Sequence, residues 1–470
     1  MMMLPKFYGR DEELAHLDEL YTSPKSQFYP VYGRRRVGKT ELILEFGRRH
    51  PPTIYFQGKE GAEDIQIREF MRVAARVLDQ PVLEVASNGV SDWKTALQTV
   101  MPMRPKGKKT ILVLDEFQWI AAASPVLPSV LQELWDREWK RSGDVFLILC
   151  GSYIGFMEKE VLGEKSPLFG RRTGQIFLQP FPYIEAAQFH QGLSCEDLAQ
   201  TYFLCGGIPY YLEFFESKRS IRQNIEMNFL HKSGPLSREP DFLLREELRE
   251  VENYYAILMA IATGSATAKE IAQRSGIPDR NLYYYLSNLT ELRYVSRRFP
   301  ITGKRSVARQ VRFVIEDPLL RFWFRFVYPN GSLITTLGPK AAFDQLIAPE
   351  LESYFGLCFE RLCREALGNV YVSEGVNANS EIGEYWAKET QIDVLGRRDD
   401  GRIDIAECKW GKVRSLKGVI EEVDRKVALY PNQENLTVQK RLFLRKLPAR
   451  ASVPDDIIVH TLEEIYSLRS

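Results

Sequence analysis

At 470 residues, 44% of them hydrophobic and 27% charged, the chain is too long for one ordinary domain and too apolar to be disordered, so two to four globular domains are expected. Its 63 Lys and Arg against 62 Asp and Glu leave a net charge of +1, which excludes nucleic-acid binding by bulk charge and restricts any such surface to a local patch. No apolar run approaches the roughly 18 residues of a spanning helix, and the first ten residues lack the basic-then-apolar order of a secretory signal. The 6 Cys and 5 His form neither a CxxC pair nor a metal-spaced His pair, so reduced thiols, a cytoplasmic location and no structural zinc are expected.

In chain order, short apolar runs at 28–32, 53–57, 110–114, 145–150 and 175–178 alternate with helical patterns at 40–49, 67–78 and 127–140. That alternation predicts an α/β fold, a doubly wound and mostly parallel sheet with helices on both faces. The polar stretch 231–240 reads as a linker, followed by a helical segment to about Val295 and an Arg-rich stretch to Arg312. Residues 328–337, with Pro329, Asn330 and Gly331, read as a second linker. Beyond it a helix is expected at 351–367 and strands at 391–395 and 402–410. Three parts follow, at 1–235, 236–327 and 340–470.

Gly33-Arg34-Arg35-Arg36-Val37-Gly38-Lys39-Thr40 fits GxxxxGK[ST], after a predicted strand and opening a helix that runs on through Glu41. Glycines let the loop wrap phosphates with its backbone N–H groups, and the helix N-terminus favours negative charge. The expected ligand is ATP with Mg²⁺, Lys39 meeting the β- and γ-phosphates and Thr40 meeting the metal. The apolar strand at 110–114 ends in Asp115 and Glu116; Asp115 suits Mg²⁺ through water, and Glu116 suits orientation of the attacking water. Ser152, after the strand at 145–150, suits either a γ-phosphate sensor or a plain turn. Arg171 and Arg172 suit either a cation for the transition state or solvated surface.

These segments, together with Phe7-Tyr8-Gly9-Arg10-Asp11-Glu12-Glu13-Leu14, SPLFGRRTG at 166–174, GGIPYYL at 206–212 and EDPLLRFWFRFVYPN at 316–330, resemble the archaeal-type ATPases. That family stands among the signal-transduction ATPases with numerous domains (STAND), relatives of the AAA+ proteins. The resemblance covers nearly the whole chain. It implies that Gly9 and Arg10 lie near the adenine and that Gly207-Ile208-Pro209 belongs to a helical lid over the nucleotide. It also implies a winged helix and a nuclease-like C-terminal domain.

The residues support a winged helix independently. A helix at 255–262, a second opening at Thr267 and a turn at Ser275-Gly276-Ile277-Pro278 precede a third, with Asp279 placed to cap it. In that third helix Leu282, Leu286 and Leu289 repeat at helical spacing, leaving Arg280, Asn281 and Tyr284 mostly outside the apolar stripe, as in a helix that enters a major groove. Arg297, Arg298, Lys304, Arg305, Arg309 and Arg312 suit a wing lying on phosphates. The alternative is a winged helix packed on its own ATPase domain, with a solvated basic run.

Asp393 lies in the strand at 391–395, and a turn at Asp399-Asp400-Gly401 leads to the next. There a period of two puts Ile403, Ile405, Glu407 and Lys409 on one face. Asp393 and Glu407 suit Mg²⁺, with Lys409 positioning or activating water and Glu360 adding a ligand from the preceding helix. The arrangement resembles the PD-(D/E)xK fold of restriction endonucleases and Holliday-junction resolvases, with Ile392 where that motif has Pro. Its alternatives are a degenerate nuclease fold that binds DNA without cutting, or an ordinary strand with a salt-bridged Glu–Lys pair.

The resulting expectation is an ATP-hydrolysing DNA-binding protein whose metal-dependent nuclease domain is gated by nucleotide state. The rival is an ATP-switched winged-helix regulator whose C-terminal domain only binds. A processive helicase fits less well, because one P-loop domain offers no second RecA-like core; an oligomeric ring stays open.

Overall fold

Strands β1 (Gln27–Phe28), β2 (Val31–Tyr32), β3 (Thr53–Gln57), β4 (Thr110–Asp115), β5 (Val145–Gly151) and β6 (Ile176–Phe177) form one sheet in this computed structural model. Its order is β3-β4-β5-β2-β6, with β1 also on β5, and every pairing is parallel. β4 and β5 are buried at every residue, as strands covered on both faces must be. Alternate residues serve opposite cores. Ile111 and Val113 meet Leu42 and Phe46 of the helix Lys39–Arg49, whereas Leu112 and Leu114 meet Ile67, Phe70 and Met71 of Glu63–Leu78. The apolar run at 28–32 is two strands, not one. Pro30, which has no N–H to give a ladder, falls between them.

The structure describes residues 7–302, 311–449 and 451–468. It divides into two compact units, Met1–Pro180 and Phe181–Ser470. The expected boundary at 235 falls inside the second unit, and residues after 180 join the core of that unit. In the helix Cys195–Cys205, Phe203 packs against Phe355 and Trp410 with ring centroids 5.6 and 5.2 Å apart.

Within the second unit, helices Val251–Ala262, Ala268–Ser275 and Asp279–Glu291 lead into β7 (Val295–Arg298), which pairs antiparallel with β8 (Arg312–Ile315). Thr267 and Glu270 form a reciprocal capping box at the second helix. Asp279 is the first helical residue and caps nothing; Pro278 holds the cap position. Lys304, Arg305 and Arg309 lie outside the described residues. The expected linker at 328–337 is helical, because Pro329 sits in a first turn, where its missing N–H costs nothing. Gly331–Ala342 then leads through a wider turn into Ala348–Ser373.

The C-terminal sheet comprises β9 (Ser380–Trp386), β10 (Gln391–Arg398), β11 (Arg402–Lys409), β12 (Thr437–Leu444) and β13 (Ile457–Thr461). Its order is β13-β12-β11-β10-β9, antiparallel through β9-β10-β11 and parallel through β11-β12-β13. Helix Ala348–Ser373 covers the face bearing Val394, Ala406 and Cys408. On the other face Ile392, Leu395, Ile403 and Ile405 pack with Tyr430 and with Val427 of the helix Leu416–Leu429. The β9–β10 register shifts between Ile392 and Leu395, which puts Asp393 in an irregular stretch, a common device for re-aiming a side chain beside a site. Among the described residues no helix is long and apolar enough to cross a membrane.

Candidate ATP and nuclease-like sites

The P-loop runs from the end of β2 into the helix Lys39–Arg49. Gly33 is required by space: a Cβ there would stand 2.2 Å from the Leu178 carbonyl oxygen. Gly38 caps the helix at φ 90°, a conformation that favours glycine. Lys39 Nζ donates to the carbonyls of Gly33 at 2.9 Å and Arg34 at 2.8 Å, and burial pushes its pKa down. Arg36 adopts φ 69°, Val37 is fully buried and Glu41 is exposed.

Thr40 Oγ1 donates to Asp115 Oδ2 across 3.0 Å. Tyr55 donates to the same oxygen at 2.5 Å, and the Glu116 backbone N–H donates to Oδ1 at 2.8 Å. Burial and the nearby Asp115 charge raise the Tyr55 pKa, keeping this phenol a donor. Glu116 sits at φ 48°, and Ser152 Oγ donates to its Oε2 at 2.9 Å. Gln118 Nε2 donates to that same oxygen and, at 3.3 Å, to Ser152 Oγ. The Glu116 carboxylate is thus held by two side chains, Ser152, which the sequence singled out for a different role, and Gln118, which it did not single out. The hydroxyl of Thr40 beside the carboxylate of Asp115 is a hard-oxygen pair that fits Mg²⁺.

Arg10, placed near adenine by the resemblance, braces the loop: its guanidinium donates to the carbonyls of Val37 at 3.1 Å and Gln179 at 2.6 Å. Arg171 is tied to Asp136 at 2.8 Å and to the carbonyls of Pro167 and Phe169, so its guanidinium already has partners at the surface. Arg172 is exposed, its guanidinium 3.4 Å from the Leu162 carbonyl. Pro209 opens the short helix Pro209–Leu212 in the second unit.

In the C-terminal sheet, Asp393 of β10 and Glu407 of β11 converge on one ammonium, that of Lys426 in the helix Leu416–Leu429. Lys426 Nζ hydrogen-bonds Glu407 Oε2 and lies 3.5 Å from Asp393 Oδ2. Lys409 Nζ donates to Glu407 Oε1 at 2.7 Å and pairs with Glu422 at 2.8 Å. Burial opposes the Lys409 charge, but its bonds to Glu407 and Glu422 hold the pKa above the ordinary lysine range. Burial and the Asp393 charge raise Glu407; the same two causes push Glu360 up to about 8. Arg364 donates to the Asp393 carbonyl at 2.6 Å.

Among the described residues no three His, Cys, Asp or Glu side chains gather closely enough to cage a metal ion, so Glu360 does not complete a cage. Mg²⁺ needs only one or two carboxylates and waters. Asp393 and Glu407, which already share one cation, fit that requirement.

Sequence reading missed Lys426 and Glu422. The available signal was periodicity: Leu416, Val419, Val423 and Lys426 form one buried helical stripe, so a lysine occupies a core position.

On the helix Asp279–Glu291, Leu282, Leu286 and Leu289 are fully buried while Arg280, Asn281, Tyr283 and Tyr284 are exposed. Arg297 is exposed as well. Arg298 and Arg312, expected on phosphates, are occupied internally. Arg298 bridges Glu316 at 2.8 Å and Glu384 at 3.5 Å; Arg312 lies 4.4 Å from the Trp386 ring centre and donates to Gln391 at 3.3 Å. The β7–β8 pair is therefore fastened to the C-terminal sheet.

Residues 7–215 match the model of a family described as an ATPase domain predominantly from Archaea. Residues 323–421 match a family described as archaeal and bacterial proteins of unknown function, a nuclease-like domain of the PD-(D/E)xK type. An uncharacterized protein of Methanocaldococcus jannaschii is 32% identical over 430 residues, covering 90% of this chain and 92% of that one. The Walker-type ATPase PABY2304 of Pyrococcus abyssi superposes with a TM-score of 0.52 at 19% identity, over 68% of this chain and 96% of that one. The Aeropyrum pernix ORC2 protein gives a TM-score of 0.43 at 14% identity, over 71% and 95%.

Proposed function

The chain belongs to the archaeal-type ATPase family, with a nuclease-like domain toward its C-terminal end, and we propose that it is an ATP-hydrolysing, metal-dependent DNA nuclease whose cutting is set by nucleotide state. At the first site Thr40 and Asp115 hold Mg²⁺, Lys39 meets the β- and γ-phosphates, and Glu116, steadied by Ser152 and Gln118, orients the attacking water. Arg172 and Arg10 are secondary candidates around the nucleotide. The exposed Arg280, Asn281, Tyr283 and Tyr284 form the face of a winged helix that reads DNA, and Arg297 meets its phosphates.

At the second site Asp393 and Glu407 hold Mg²⁺, which when bound supplies a polarised water and neutralises phosphate charge. Lys409, held between Glu407 and Glu422, is placed to position the water or the phosphate there. The observation that carries this reading is the convergence of Asp393 and Glu407, from neighbouring strands, on a single cation.

One observation favours the rival, a regulator that binds DNA without cutting: the Lys426 ammonium already lies between the two carboxylates, and Lys409 supplies the second positive charge that balances them. The deciding experiment incubates the full chain with plasmid, linear and branched DNA, with Mg²⁺ or Mn²⁺, beside Asp393→Ala. Metal-dependent cutting lost in Asp393→Ala supports the nuclease. Binding without cutting on every substrate supports the regulator.

A further inference from the structure

Lys426 is an expensive residue where it stands. Its side chain is 6% exposed, on the buried stripe that Leu416, Val419 and Val423 share, where an apolar residue would pack without cost. A buried ammonium persists only when paired, and its partners are Glu407 Oε2 and Asp393 Oδ2. Lys409 is placed differently: 32% exposed, it takes the other oxygen of Glu407 and leans on Glu422. The oxygens that Asp393 and Glu407 would offer jointly to a divalent ion are the ones Lys426 holds.

We propose that Lys426 is a built-in competitor for the divalent metal, a tethered cation that must leave Asp393 and Glu407 before the metal can bind them. This inference rests on the metal-site reading above. Two consequences follow from charge alone. Without metal, Lys426 bridges the two buried carboxylates and, with Lys409, balances their charge, so the nuclease-like domain is stable with its site closed to weakly bound ions. With metal, the ammonium is released beside the site, where its free donors suit an anionic phosphodiester. Removing Lys426 should therefore tighten metal binding and weaken DNA cleavage together. A residue that merely holds the fold would lower both.

The test uses full-length wild type, Lys426→Met, Lys426→Gln and Asp393→Ala, without nucleotide. Mn²⁺ is titrated by calorimetry and by the spin-resonance signal of free Mn²⁺, and melting is followed with and without the ion. Lys426→Met should bind Mn²⁺ about tenfold tighter than wild type, from the loss of one charge-assisted competitor bond. It should melt lower without metal and gain more from Mn²⁺ than wild type does. Lys426→Gln, which keeps a donor without the charge, should fall between; it carries the test if Lys426→Met does not fold. Wild-type binding that depends on Asp393 but is equal or weaker in both Lys426 variants would overturn the competitor role and leave the metal site standing. Absence of Asp393-dependent Mn²⁺ binding in wild type and variants alike would overturn the metal site, and the competitor with it.

Discussion

Thr40 Oγ1 and Asp115 Oδ2 are 3.0 Å apart, so the first turn of the P-loop helix is hydrogen-bonded to the end of β4. Tyr55 and the Glu116 N–H hold the same carboxylate. Lys39 takes no part in this network; it bonds only loop carbonyls among the partners described. Lys39→Ala should thus leave the framework intact while removing the phosphate cation. ATP hydrolysis is expected to fall by about 10²–10³-fold, with stability changed by no more than about 1 kcal/mol. Phosphate release and thermal melting on the same preparation check both halves.

For DNA binding, the two neighbouring arginines of β7 should behave differently. Arg297→Ala, at an exposed position, is expected to weaken binding uniformly across sequences and to reduce the salt slope by about one. Arg298→Ala takes their shared cation from Glu316 and Glu384, leaves Glu316 its bridge to Arg361, and should cost about 1–2 kcal/mol of stability for these partly exposed acids. Replacing Arg280 and Asn281 should change sequence preference more than affinity. Fluorescence anisotropy over a salt series, with melting curves alongside, separates the three.

The parallel sheet and both acidic centres were legible in the sequence because each has a local signature. β4 and β5 are apolar runs ending in polar chemistry, and the period of two in β11 places Glu407 and Lys409 on one face. Less legible was what depends on contact between distant segments. Nothing near Arg298 in the chain announces Glu384, and the polar, proline-bearing stretch at 328–337 looks like a linker until Pro329 is seen in a first turn. Lys426 was hidden for a third reason. A lysine in an amphipathic helix is ordinarily solvated, and only the stripe begun by Leu416 marks this one as buried.

His460 should give the fold a measurable pH dependence. Its Nε2 lies 3.0 Å from the Arg441 guanidinium, which also binds Asp404 and Glu374. Burial first and then the Arg441 charge push the His460 pKa down to about 4. The folded protein therefore favours neutral imidazole. That contribution is complete above the unfolded value of about 6.5 and is lost as pH falls from there through 4. His460→Gln keeps an acceptor and removes the titration. Between pH 7 and 4.5 wild type is expected to lose about 2 kcal/mol more stability than His460→Gln, allowing for solvent screening of a half-buried ring. Urea denaturation across that range measures the difference.

The proposed coupling of the two sites is tested most directly by DNA cleavage under nucleotide control. Moving a two-state protein from about 1:99 to 99:1 takes roughly 10⁴-fold preference of ATP for one state, so the effect of nucleotide should be large. Cleavage is measured with Mg²⁺ in ATP, in ADP and without nucleotide, for wild type, Glu116→Gln and Asp393→Ala. Glu116→Gln binds ATP without orienting water, so it should hold cleavage at the ATP-bound level however long the reaction runs. Wild type should drift to the ADP level as ATP is consumed, and Asp393→Ala should cut in no condition. Cleavage that is indifferent to ATP, ADP and Glu116→Gln would contradict the coupling, and cutting by Asp393→Ala at the wild-type rate would contradict the nuclease itself.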